Sequence, residues 1–264
     1  MQRQRQRPCD AAWSHSFTAI ERLPLYKSKI NFALCAIALL CTLQGINGRA
    51  QTNTVATEVG KFDRVVGRVT VQALGGTART PERGSAVIVG ELVATDDDSE
   101  ATITTRDGAR LVLRGKSRLE MTNYSFEPTT NEGTFISRLL KGSLRTVTGL
   151  IGKAQPRNHS VSTTTATVGI RGTDFEVAVF DADEDDKRAG TYDHVFDGAT
   201  TLQVASGEAL DVPKDKTGLA LSNPRPGEPQ LQLLDSRPAF IRGGGFDALQ
   251  LLQTRPTIII RPIR

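Results

Sequence analysis

Between Ser162 and Val179 the chain reads STTTATVGIRGTDFEVAV, a β-branched run, a Gly-Ile-Arg-Gly-Thr turn, and a run in which apolar and charged residues alternate. A period of two marks a strand, because successive side chains leave opposite faces of a pleated backbone. Phe175, Val177 and Val179 fall on one face and Asp174 and Glu176 on the other, which predicts a strand with one buried side. Gly169 and Gly172 allow a tight turn, on whose surface Arg171 and Asp174 are placed to pair. The alternative is that Gly169, Arg171, Gly172, Thr173, Asp174 and Phe175 form a partner- or ligand-binding loop.

The same texture extends along the chain from Phe62. Short period-two runs recur about every 8 to 12 residues, separated by Gly, Asp or Asn, which is the pattern of an all-β domain. Val65 to Val71 reads as one strand. The clearest hairpin is ATITTRDGARLVLRG, where Asp107-Gly108 suits a type I′ turn between the strands Glu100–Thr105 and Arg110–Arg114. A second hairpin flanks Ser206-Gly207. The expected architecture is all-β, with consecutive antiparallel hairpins forming a β-sandwich or a short solenoid-like stack, and with a short irregular C-terminal extension.

The ends differ in composition. Residues 1–29 hold Arg3, Arg5, Arg7, Arg22, Lys27 and Lys29 against Asp10 and Glu21, and an apolar run from Phe32 to Leu43 follows. That run is shorter than the roughly 20 residues of a membrane-spanning helix, and Gly48-Arg49-Ala50 offers small residues at a cleavage site before Gln51. Residues 1–50 therefore read as a signal peptide, or as a signal anchor holding the chain at the inner membrane if the leader is uncleaved. Residues 51–61 read as a polar lead-in, 62–212 as the β-domain, and 213–264 as a Pro/Gly-rich C-terminal extension. Within that extension FDALQLLQ (246–253) suits two helical turns, and Ile258 to Ile260 suits a docked strand or a partner-binding tail.

Removing the leader changes the chemistry. The whole chain has 33 Lys plus Arg and 29 Asp plus Glu; taking away the seven basic and two acidic residues of 1–50 leaves 26 and 27. A near-neutral domain lacks the basic footprint that nucleic-acid binding needs. Cys9, Cys35 and Cys41 also lie within 1–50, so the expected mature chain has no disulfide and no thiolate chemistry.

GSAVIVGELVATDDDSEATITTRDGARLVLRGKSRLEM, KGSLRTVTG, VSTTTATVGIRGTDFEVAV and VFDGATTLQVASGEALDV together resemble the FecR domain in order and spacing, over about residues 65–212. The landmarks are Gly90-Glu91, Asp98-Ser99-Glu100-Ala101, Asp107-Gly108, Gly142-Ser143-Leu144, Ile170 to Phe175, and Gly207-Glu208. The resemblance implies a periplasmic β-domain without catalytic activity, working in envelope signalling. Founding members also carry a cytoplasmic helical domain that grips a sigma factor. Here only 29 residues, including Trp13, precede the apolar run, and Thr164 stands where the family often has Pro.

Candidate chemistry is sparse. His159, in QPRNHS, reads as a solvated loop residue, and no Ser–His arrangement is recognisable. Asp181, Asp183 and Asp185 in DADEDD resemble the start of a calcium loop, but its sixth position is Asp186 instead of Gly and its twelfth Tyr192 instead of Glu. A solvated acidic loop is the simpler reading. The expectation is a non-enzymatic protein without cofactor, acting on an envelope protein or a cell-wall component through a strand edge or the Arg171 turn. A membrane-anchored sigma-factor regulator and a carbohydrate or peptidoglycan binding module are the alternatives.

Overall fold

A computed structural model describes residues 56–172, 174–181 and 188–241. The leader, Asp183 and Asp185, Thr173, and the elements expected at 246–253 and 258–260 lie outside the described residues.

The all-β class holds. Sixteen strands are present among the described residues: β1 (Glu58–Val66), β2 (Val69–Ala73), β3 (Ala86–Ile88), β4 (Glu91–Thr95), β5 (Glu100–Thr105), β6 (Arg110–Leu113), β7 (Arg118–Glu127) and β8 (Glu132–Val147), then β9 (His159–Ser162), β10 (Ala166–Ile170), β11 (Asp174–Phe180), β12 (Gly190–Asp197), β13 (Ala199–Val204), β14 (Ala209–Pro213), β15 (Thr217–Leu221) and β16 (Leu231–Leu234). A five-residue helix, α1 (Leu150–Ala154), and a 3₁₀ turn (Pro156–Asn158) link β8 to β9.

Two sheets share β8. Sheet A runs β3-β1-β5-β6-β8-β11-β12-β15-β16, and sheet B runs β2-β4-β7-β8-β9-β10-β13-β14. The first ten residues of β8 pair with β7 in sheet B, and its last six pair with β6 and β11 in sheet A. Gly142 makes the switch at φ +82°, where a Cβ would lie 2.6 Å from the Ser117 Cα, so the position accepts only glycine without strain. Successive hairpins are laid alternately on the two sheets, β9–β10 on B, β11–β12 on A, β13–β14 on B and β15–β16 on A. β8 and β9 pair in parallel, a departure from the all-antiparallel expectation made possible by the crossover through α1.

One core lies between the sheets. It takes Phe62, Ile103, Leu111, Leu144, Phe175 and Val177 from sheet A, and Val71, Leu119, Val168, Leu202 and Val212 from sheet B. A Cβ on Gly218 of β15 would meet Val212 and Leu202 side chains at 2.6 and 3.1 Å, which shows how closely the faces approach there.

Several sequence readings change. Val65 to Val71 is two strands in different sheets, divided at Gly67 with φ +70°. β1 begins at Glu58, inside the segment read as a lead-in. β15 and β16 fall within the segment read as an irregular extension and instead widen sheet A. The β5–β6 hairpin has the expected register, but only Gly108 has positive φ. Gly108 N–H donates to the Thr105 carbonyl and Thr105 N–H to the Ala109 carbonyl, the pattern of a three-residue loop closed by a left-handed glycine, not of a type I′ turn. Asp107 is thereby freed to turn inward. Its carboxylate accepts hydrogen bonds from the hydroxyls of Thr105 and Tyr124 and from the Ile151 N–H, tying the hairpin to the start of α1.

Candidate functional site

The Gly169–Phe175 segment crosses from sheet B to sheet A, because β10 belongs to one and β11 to the other. Its residues accordingly divide between two surfaces. Gly169 and Arg171 line the outer face of sheet B, and Gly172 and Asp174 line a depression at the end of sheet A.

The pairing expected between Arg171 and Asp174 does not occur. Arg171 is exposed and reaches Asp211 on β14 at 3.4 Å, while Thr201 Oγ1 donates to the same Asp211 oxygen at 2.8 Å. Asp174 is buried and forms a bidentate pair with Arg145 of β8, Nε to Oδ1 at 2.9 Å and Nη2 to Oδ2 at 2.8 Å. Arg171 stands at the tip of the turn and leans toward the edge of sheet B. Asp174 lies at the first residue of β11, beside Arg145 on the neighbouring strand. Phe175 is fully buried in the core.

On sheet B the outward-facing side chains are small and polar. Ser160, Thr167, Gly169, Thr201 and Gln203 floor an open groove of about 1160 Å³ that Arg157, Asn158 and Arg171 also line. Both charged side chains on its lining are arginines. β14, the last strand of sheet B, runs beside it. His159 also borders the groove, but its side chain points inward. It is 1 % exposed and stacked on Phe135 with ring centroids 4.8 Å apart, and so is not the solvated residue expected from QPRNHS. Burial lowers its pKa to about 4.

On sheet A the second face of β11 is also buried, contrary to the one-sided reading. Glu176 is 1 % exposed and lies 3.2 Å from an Arg114 nitrogen and 3.7 Å from one of Arg237. Desolvation pushes its carboxyl up to about 7, against the pull of Arg114, Arg237 and Arg145. The Arg145 guanidinium sits 4.0 Å from the Phe196 ring centroid, and that of Arg237 lies 5.3 Å from the same ring. The segment after β16 covers this face. Arg114 donates to the Ile241 carbonyl at 2.8 Å, and Thr217 donates to the Ser236 carbonyl at 3.2 Å. Phe240 meets Phe180 and Tyr192 edge-on at 5.3 Å each, completing a small second core with Leu219, Leu221 and Ile241.

Of the calcium-loop residues, Asp181 is described: it is half exposed and pairs with Lys141 at 3.1 Å. Among the described residues no group of three His, Cys, Asp or Glu side chains could hold a metal ion. No helix among them is long and apolar enough to cross a membrane. Sequence reasoning missed Arg145, Glu176, Arg114 and Arg237. The available signal was the run of charges inside otherwise apolar strands, of opposite sign on β8 and β11.

The FecR protein family model matches residues 91–210, inside the span over which the sequence motifs had suggested that family. The chain carries a FecR domain. No curated protein matches the chain. Two crystal structures of a provisionally named anti-sigma factor from Parabacteroides distasonis resemble it at 14 % identity, with TM-scores of 0.42 and 0.41, each over 55 % of this chain and 59 % of the other. The chain thus spans under two thirds of that protein. A protein described as a cell surface anchoring domain is similar at 35 % identity over 25 % of this chain and 87 % of its own, with a TM-score of 0.24. Scores this low give no support to a shared fold. The FecR domain itself supports a role in envelope signalling or sigma-factor regulation, and a regulatory rather than enzymatic one.

Proposed function

We propose that this chain is an exported, non-enzymatic FecR-domain protein that acts in envelope signalling by binding another protein, with the outer face of sheet B beside the Arg171 turn as its contact surface. The observation that carries this reading is the groove that Arg157 and Arg171 line. It is open, floored by small side chains and lined by two cations, next to the terminal strand β14. An extended acidic segment suits it on two counts. Its carboxylates would meet the arginines, and its backbone could add to the free side of β14.

A photoreactive residue in place of Gln203, on the groove floor, tests the surface in intact cells. The expected result is a cross-link to an envelope protein that Arg171→Glu abolishes while the domain stays folded; a cross-link indifferent to Arg171→Glu would remove the surface from consideration. Export is tested by N-terminal sequencing of the mature protein. A chain beginning at Gln51 fits release into the envelope, whereas an intact leader would redirect the proposal toward a membrane-anchored sigma-factor regulator.

A further inference from the structure

The segment covering sheet A is Arg237-Pro238-Ala239-Phe240-Ile241, and each of its features has a partner beneath it. Arg237 lies between the Glu176 carboxylate and the Phe196 ring. Pro238 restricts the residue before it to extended backbone, which fixes how the arginine is presented. A 3₁₀ turn over Ala239–Ile241 then delivers Phe240 and Ile241 to Tyr192 and its apolar neighbours. The pattern is Arg-Pro, a small residue, a large apolar residue, then Ile.

That pattern occurs a second time, at Arg255-Pro256-Thr257-Ile258-Ile259. Arginine, proline and the final isoleucine stand at identical offsets, Thr replaces Ala, and Ile replaces Phe. Arg261-Pro262 repeats the pattern's first two residues. We propose that the outer face of sheet A is a recognition site for this five-residue pattern, and that residues 255–259 are its alternative occupant, exchanging with 237–241. The same two negative-to-positive and aromatic contacts await either arginine, and either Pro pre-extends the residue before it.

Tether length sets the order of preference. Residues 237–241 follow β16 after a link of only two residues, so their effective concentration at the face exceeds that of 255–259, which are reached through the 20 residues 235–254, including Gly243, Gly244 and Gly245. The first pattern is therefore the resting occupant. This inference rests on sheet A and is independent of the groove on sheet B.

Benzoylphenylalanine in place of Phe180, which packs against Phe240, reports the occupant by cross-linking in the full chain. The expected product is 237–241 in the otherwise native protein, and 255–259, at least tenfold enriched, when Arg237→Ala and Phe240→Ala are introduced. Adding Arg255→Ala and Ile259→Ala should abolish it. Should the variants lose structure by circular dichroism, a labelled peptide of residues 253–264 titrated into the native full chain gives a second reading. Competition with the resting occupant predicts binding that is at least tenfold weaker for the Arg255→Ala peptide. Absence of any 255–259 cross-link in the folded double variant, or equal affinity of the two peptides, would overturn the proposal.

Discussion

Asp193 on β12 provides a quantitative test of the core. It is fully buried between the sheets, with one carboxylate oxygen accepting from Thr200 Oγ1 of β13 at 2.5 Å and the other without a hydrogen-bond partner among the described residues. Desolvation raises its pKa from 3.8 to about 7, opposed by the Thr200 hydrogen bond. The folded chain therefore holds a proton that the unfolded chain releases. Stability from this group is complete below pH 3.8 and is lost as pH rises through about 7. Linkage gives a cost of about 2 kcal/mol at pH 5 and about 4 kcal/mol at pH 8. Asp193→Asn keeps the acceptor for Thr200 and cannot ionise. Urea unfolding of both proteins at pH 5 and pH 8 should show the variant gaining on the native chain by roughly 2 to 3 kcal/mol between the two conditions. The comparison cancels other titrating groups, including Glu176. An unchanged difference between the proteins at the two pH values would refute the reasoning.

His159 shifts stability in the opposite direction. Its depressed folded pKa means that stability present above pH 6.5 is lost as pH falls through about 4, by about 3 kcal/mol, and His159→Phe should remove that acid dependence in the same urea series. Arg145→Met would remove the bidentate partner of the buried Asp174, so a loss of about 3–5 kcal/mol is expected, partly recovered by adding Asp174→Asn in a double-mutant cycle. Arg171→Ala, by contrast, breaks an exposed pair and should cost under about 1 kcal/mol in thermal unfolding, so any loss of partner binding it causes reads as contact and not as misfolding.

Much of the architecture could be read from the residues. The period-two runs and the Asp107-Gly108 hairpin located β5, β6, β11, β13 and β14, because a strand with a core face writes its alternation directly into sequence. Less visible was which sheet each hairpin joins, since that depends on pairing between residues distant in the chain. The Val65–Val71 run continues unbroken in apolar pattern, and only the conformation of Gly67 turns it from one sheet to the other. β15 and β16 were obscured by the prolines around them: Pro224, Pro226 and Pro229 all lie in the connection between the strands and interrupt neither ladder. For the site, Arg171 was correctly seen to be exposed, but its partner, Asp211, is 40 residues away.

Glu176 shows why alternation misled at sheet A. A polar residue at every second position signals a different environment on that face, and solvent is only the commonest such environment. Here it is a layer of three arginines and an aromatic ring closed over by residues 235–241. Several FecR landmarks resolve into similar structural duties. Glu91 is buried and binds both Arg79 and the Ile88 N–H, Gly142 carries β8 between sheets, and Asp107 ties a hairpin to α1. Residues occupied in holding the two sheets are poorly placed to discriminate among partners. Arg157 and Gln203 in the groove, which the landmark motifs do not include, are free to do so, and Arg237 and Phe240 lie beyond the matched domain altogether. Substitutions at the landmarks, and at Arg237 and Phe240, should therefore register first as lost stability, whereas substitutions at Arg157 and Gln203 should separate binding from folding.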